Sequence, residues 1–175
     1  MSDTSETDPL EAVLGDRLTE RGETVAVAES LTGGLVCSRL TDVPGSSDYF
    51  DRGVVTYSNH AKLQELAVPR ESLDEHGAVS DPVAAEMARG VRDTAGTTWG
   101  VSTTGIAGPT GGTEEKPVGL VYIGVAYAAP WASEDSFVTV DRHVFDSDRL
   151  AVKAASADAA LDALLAAIDE VADGR

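Results

Sequence analysis

Three short segments hold the side chains best suited to chemistry. AESLTGG (28–34) sets Ser30 and Thr32 between a strand-like run and the paired Gly33 and Gly34. TYSNHAK (56–62) gathers Tyr57, Ser58 and Lys62, and STTGIAGPTGGTEEKP (102–117) is a loop carrying Gly105, Gly108, Gly111 and Gly112. A serine hydroxyl becomes a nucleophile when a base takes its proton, and a desolvated lysine of lowered pKa can be that base. Lys62, one turn into a short helix after a strand end, is the candidate base; a solvated surface lysine is the competing reading. Ser30 also has two readings, a reacting or ligand-binding hydroxyl and a simple helix cap. Paired glycines at the first turn of a helix, where alanine would favour the helix more, point to close backbone approach to a ligand. The bare amides of such a helix start suit an anion or an oxyanion. Tyr57 reads either as a core aromatic with an exposed hydroxyl or as a hydrogen-bond donor to a reacting group. The loop glycines 105, 108, 111 and 112 either let amides face a ligand or mark a flexible surface loop.

Several familiar sites are absent from the sequence. Ser30 is not in a G-x-S-x-G elbow, and no S-x-x-K precedes Lys62, because position 59 is Asn59. The third segment contains neither G-x-x-x-x-G-K-[ST] nor G-x-G-x-x-G, which weakens nucleoside-triphosphate and dinucleotide readings. His60, His76 and His143 form no pair at metal-ligand spacing, and Cys37 has no second cysteine, so no metal or cofactor is expected. Cys37 reads as a packing residue of its helix rather than a reactive thiol. DSDR (146–149) reads as a helix start whose Arg149 could reach a phosphate.

The elements that must position these segments alternate. A helix is expected from Asp8-Pro9 to about Glu20, ended by Gly22. TVAVAE (24–29) reads as a buried strand and residues 33–41 as a helix, followed by the loop DVPGSS. DRGVVTYS (51–58) is a second strand, leading straight into the short helix 59–66 with Ser58 or Asn59 as cap. VPRESLDEHG forms a helical turn, and Ser80-Asp81-Pro82 opens a helix to about Asp93, with Ser80 as cap. TWGVSTTG (98–105) is a third strand. Segments 118–128 and 135–145 form a strand pair joined around Pro130, and a last helix runs from about Asp146 to Ala172. This order predicts an α/β fold: a single layered domain over 9–175 with a mixed β-sheet flanked by helices, after a disordered acidic segment 1–8. In open α/β sheets ligands bind beyond the carboxyl ends of the strands, where all three chemical segments fall.

Composition bounds the setting. The 175 residues suffice for one core, and no apolar run reaches the roughly 18 residues of a membrane span. The opening MSDTSETDP is acidic and polar, unlike a signal or transit peptide, and a lone cysteine fits a cytoplasmic protein. The net charge of −17 is dispersed, and ten arginines accompany only three lysines, Lys62, Lys116 and Lys153. Such a surface points to a cytoplasm of high salt, a halophilic habitat, and argues against nucleic-acid binding, which needs a basic face.

AESLTGG, PGSSDYFDRGVVTYSNHAK, HGAVSDPVAAEMARG and STTGIAGPTGGTEEKPVGLVYI together resemble the CinA C-terminal domain, the nicotinamide mononucleotide deamidase family. The match runs from about Thr24 to Ala128 and continues more weakly through DSDR into the last helix. It resembles the stand-alone form, without the extra N-terminal domain of larger CinA proteins. The resemblance implies hydrolysis of the carboxamide of nicotinamide mononucleotide to nicotinate mononucleotide and ammonia, without a metal, often as a homodimer. The family's catalytic serine matches Ser30, its tyrosine Tyr57 and its lysine Lys62. On this reading Lys62 takes the Ser30 proton, Tyr57 orients the base or helps protonate ammonia, and amides of the Gly33 helix start or the Gly105–Gly108 loop hold the oxyanion. Gly33 and Gly34 let the backbone approach the substrate, and Arg149, Thr32, Thr104 and loop amides bind its phosphate. A non-catalytic nucleotide-binding or sensor module, and an amidohydrolase acting on another pyridine or nucleoside amide, are the alternatives.

Overall fold

A computed structural model describes residues 8–174. The strands run β1 (Val25–Glu29), β2 (Phe50–Val55), β3 (Trp99–Gly105), β4 (Leu120–Tyr127) and β5 (Phe137–Val144). They form one sheet in the order β2-β1-β3-β4-β5. β1 pairs in parallel with both β2 and β3, and β4 runs antiparallel to β3 and β5, so the sheet is mixed as the element order predicts. The helices are α1 (Leu10–Arg21), α2 (Leu35–Thr41), α3 (Asn59–Leu66), α4 (Arg70–His76), α5 (Asp81–Ala95) and α6 (Arg149–Ala172).

The β1 pattern explains the layers. Val25 and Val27 join a core with Leu14 and Leu18 of α1, Leu40 of α2 and Leu161 and Leu164 of α6. Ala26 and Ala28 point to the opposite face, packed with Leu66, Val83, Met87 and Val91 of the α3–α5 side. Both faces of β1 are therefore buried, which is why its sequence is a continuous apolar run rather than an alternation. Burial at about 25 cal/mol per Å2 of apolar surface is what holds the helices on the sheet.

The connections from β1 diverge. The chain leaves β1 through α2 to reach β2 on one side, then returns through α3, α4 and α5 to β3 on the other. The carboxyl ends of β1 and β3 thus flank a topological switch point, the usual place for a ligand crevice in open α/β sheets.

The helix ends follow their local chemistry, with three departures from sequence expectation. α1 ends at Gly22 in left-handed conformation, φ 64°, as expected of a C-terminal glycine, and α3 is capped by Ser58, whose hydroxyl accepts from Ala61 N. α2, however, begins at Leu35 rather than Gly33. Gly33 and Gly34 have φ of 62° and 104°, outside helical geometry, and form the turn before it. Ser80 does not cap α5 with its side chain; its hydroxyl donates to Gly77 O at 2.8 Å instead. α6 starts at Arg149, not Asp146, because Asp148 accepts the Ala151 amide at 3.0 Å and sets the boundary there. β5 is shorter than expected by two residues at its start and one at its end. The expected disordered segment 1–8 lies outside the described residues as far as position 7. Among the described residues, no helix is long and apolar enough to cross a membrane.

Candidate active site

Ser30 follows the last residue of β1, where the sheet still holds its backbone. Its amide donates to Thr103 O of β3 at 3.0 Å, while Thr56 N beyond β2 donates to Glu29 O at 2.8 Å. The residue is fixed from both neighbouring strands before the chain turns away. The helix-cap reading of Ser30 fails: its side chain caps nothing, and its oxygen instead accepts from Lys62 Nζ at 3.2 Å.

Lys62 arrives on α3 with 1% of its surface exposed, so the solvated-lysine reading also fails. Its ammonium nitrogen donates to Thr56 O at 2.6 Å and reaches Tyr57 O at 3.5 Å. Burial alone lowers its pKa from 10.5 to about 8. Among the described residues no carboxylate pairs with it, so only carbonyl and hydroxyl acceptors offset its loss of water. A lysine in this state is deprotonated in useful amounts near neutral pH and points at a serine oxygen.

Ser30 and Lys62 line a cleft of roughly 230 Å3 with Leu31, Tyr57, Ala78, Val79, Thr104, Gly105, Ala107 and Arg149. A larger groove of about 490 Å3 lies between β5 and α6, but its lining of alanines, Phe145, His143, Asp141, Asp158 and Asp162 holds no hydroxyl or thiol to act as nucleophile. The chemistry marks the smaller cleft as the candidate. Thr104 forms its wall and donates to Ala78 O at 2.7 Å. Gly105 is required by close approach: a Cβ there would lie 2.6 Å from Leu120 O.

The remaining predicted residues divide. Arg149 Nη1 donates to Gly108 O at 2.7 Å and Nη2 to the Tyr57 hydroxyl at 3.3 Å, so α6, the glycine loop and the β2–α3 turn meet at the mouth. Tyr57 is 64% exposed, which excludes the core-aromatic reading. Its carbonyl, not its hydroxyl, faces the lysine. Thr32 is buried, and its hydroxyl is paired with that of Thr103 at 2.7 Å, so it braces β1 against β3 and does not line the cleft. Gly33 and Gly34 also lie outside the lining; they make the turn that redirects the chain into α2. Gly108 meets the site through its carbonyl to Arg149. Cys37 is half-buried, and burial pushes its thiol pKa up, in keeping with a packing role.

The expected oxyanion donors at the α2 start are already engaged. Gly33 N donates to Ser30 O and Leu35 N to Thr32 O, while Gly34 N, Val36 N and Cys37 N donate to the Glu29 carboxylate at 3.0, 3.2 and 2.9 Å. Among the described residues, the amides of the cleft residues Leu31 and Ala107 donate to no protein acceptor. Sequence reasoning missed Glu29, Thr103, and the wall residues Ala78 and Val79. The only local signal for Glu29 was an acidic residue ending an apolar strand, where a buried charge requires dedicated donors.

Comparison with known proteins places the chain. The sequence profile of the CinA C-terminal domain matches residues 7–168. A CinA-like protein of Salinibacter ruber is 54% identical over 153 residues, covering 87% of this chain and 35% of that protein. One from Chlorobaculum tepidum is 53% identical over 164 residues, 93% of this chain and 38% of that protein. The chain thus spans little more than a third of the length of these relatives. The crystal structure of a competence/damage inducible protein from Agrobacterium tumefaciens superposes with a TM-score of 0.84 at 39% identity, covering 90% of this chain and 92% of the other. With sequence profile, relatives and fold in agreement, the chain belongs to the CinA C-terminal domain family.

Proposed function

We propose that the protein hydrolyses the carboxamide of nicotinamide mononucleotide, giving nicotinate mononucleotide and ammonia. The observation that carries this reading is the buried Lys62 nitrogen, 3.2 Å from Ser30 Oγ, with its pKa lowered by burial to about 8. Neutral Lys62 takes the Ser30 proton as Oγ attacks the carboxamide carbon. The amides of Leu31 and Ala107, which flank the cleft and donate to no protein acceptor among the described residues, are our candidate donors for the oxyanion. As the tetrahedral adduct collapses, the C–N bond breaks and the lysine proton leaves with ammonia. Water, deprotonated by Lys62, then attacks the acyl ester; the C–O bond to Ser30 breaks, Lys62 returns the proton to Ser30 Oγ, and the acid departs.

The cleft, roughly 230 Å3, is smaller than the ~300–1,000 Å3 usual for whole ligands. It suits the pyridine carboxamide, leaving ribose and phosphate to extend past Tyr57 and Arg149 at the mouth. Arg149 is the permanent cation there, suited to a phosphate. Its donors must act at short range, because a chain of net charge −17 repels anions from afar.

The test is ammonia release from nicotinamide mononucleotide by the purified protein and by Ser30→Ala. The wild type is expected to turn over and the folded variant to lose activity. Robust turnover by Ser30→Ala would remove the nucleophile. Binding without ammonia would identify a nucleotide-binding module instead, and neither binding nor turnover would point to another amide.

A further inference from the structure

We propose that Glu29 is the positioning residue for Ser30: its carboxylate ties down the amides that open α2 and so holds the serine turn against Lys62. This rests on the reading of Ser30 as a nucleophile.

Glu29 ends β1 and is fully buried. Its side chain accepts from the backbone amides of Gly34, Val36 and Cys37, and the Cys37 thiol also lies against it. A buried carboxylate needs strong donors, and amides at a helix start, aligned with its dipole, provide them. The same residue also accepts Thr56 N at its carbonyl, so it grips β2 with its backbone and α2 with its side chain. Ser30 lies between these two grips. The loop 30–34 is therefore closed by the residue directly before the nucleophile.

The geometry favours glutamate over an ordinary cap. A Ser, Thr or Asp cap reaches amides two or three residues on. Glu29 reaches amides five, seven and eight residues ahead, which takes two oxygens on a longer arm. The left-handed Gly33 and Gly34 fold the chain back so that those amides face it. Filling the α2 start this way also removes it as an anion site, leaving the amides inside the cleft for the oxyanion. Glu29 touches no reacting atom; it acts through the placement of Ser30.

The experiment compares Glu29→Gln and Glu29→Asp with the wild type. Phosphonylation of Ser30 by a fluorophosphonate, followed by mass spectrometry, reads serine reactivity without any nucleotide; ammonia release gives kcat and KM. Leu14→Ala, a core change in α1, serves as a variant of comparable stability loss with Glu29 intact. Displacing a reacting group by about 1 Å costs about a hundredfold, so Glu29→Gln is expected to lower phosphonylation and kcat by roughly ten- to a hundredfold with KM within about twofold. Glu29→Asp should fall between it and the wild type, and Leu14→Ala should keep the wild-type rates. Rates for Glu29→Gln within twofold of wild type, or an equal loss in Leu14→Ala, would overturn the proposal. If Glu29→Gln does not fold, Glu29→Asp supplies the rate; if neither folds, the role is structural only and the proposal falls. Absence of phosphonylation in the wild type also overturns it. Wild-type phosphonylation without ammonia release would instead reject the nicotinamide mononucleotide reading and leave the Glu29 comparison standing.

Discussion

Lys62 Nζ lies 3.2 Å from Ser30 Oγ and 2.6 Å from Thr56 O, buried and without a carboxylate partner among the described residues. The serine thus faces a base whose charge is opposed by burial alone. That arrangement sets the pH behaviour and the cost of altering either residue.

Activity should rise with pH through about 8 and level off above it, because only neutral Lys62 accepts the serine proton. A pH profile of kcat/KM checks this. Lys62→Ala should lower kcat by roughly 10²–10⁴-fold, the usual contribution of a general base.

The same pKa links to stability. The Lys62 value is lowered from 10.5 in the free residue to about 8 in the fold, so between those values the unfolded chain binds more protons than the native one. Native stability from this group therefore increases as pH climbs from about 8 to 10.5, and its penalty is fully present below 8. The difference in Tm between Lys62→Met and wild type should shift towards the wild type from pH 7 to pH 10. Melts of both proteins across that range measure it; a constant difference would mean that Lys62 titrates normally.

Arg149→Met should raise KM for the nucleotide by about ten- to a hundredfold, since a hydrogen bond to a charged group contributes about 1.5–3 kcal/mol. The kcat should change little, as Arg149 sits at the mouth through Gly108 and Tyr57 rather than beside Ser30. A fall in kcat at unchanged KM would place Arg149 in the chemical step instead.

Thr32→Val tests a correction. With Thr32 paired only to Thr103, the variant strands a buried hydroxyl and should cost about 1–3 kcal/mol of stability. KM should stay at the wild-type value; an increase would return Thr32 to the substrate site.

The dispersed net charge of −17 predicts that added potassium chloride raises Tm, because screening weakens self-repulsion. Melts between low and molar salt check it, and a flat response would remove the high-salt reading.

The sequence by itself determined the elements and where the chemistry gathers. Apolar runs, Gly22, Ser58 and Pro82 encode their structures locally, so the five strands, the order of helices and the mixed sheet could be read from neighbours along the chain. The convergence of the three chemical segments also followed, because parallel strands bring their carboxyl ends to one edge. The partner of each side chain was decided only by tertiary structure. Ser30 meets Lys62 across 32 positions, Thr32 meets Thr103 across 71 and Arg149 meets Tyr57 across 92. Such contacts depend on how layers pack, which no local pattern records. The paired glycines invited a ligand-binding helix start, yet their left-handed backbone turns the amides onto Glu29. A buried carboxylate must take the nearest donors, and that requirement exists only once β1 and α2 are packed together.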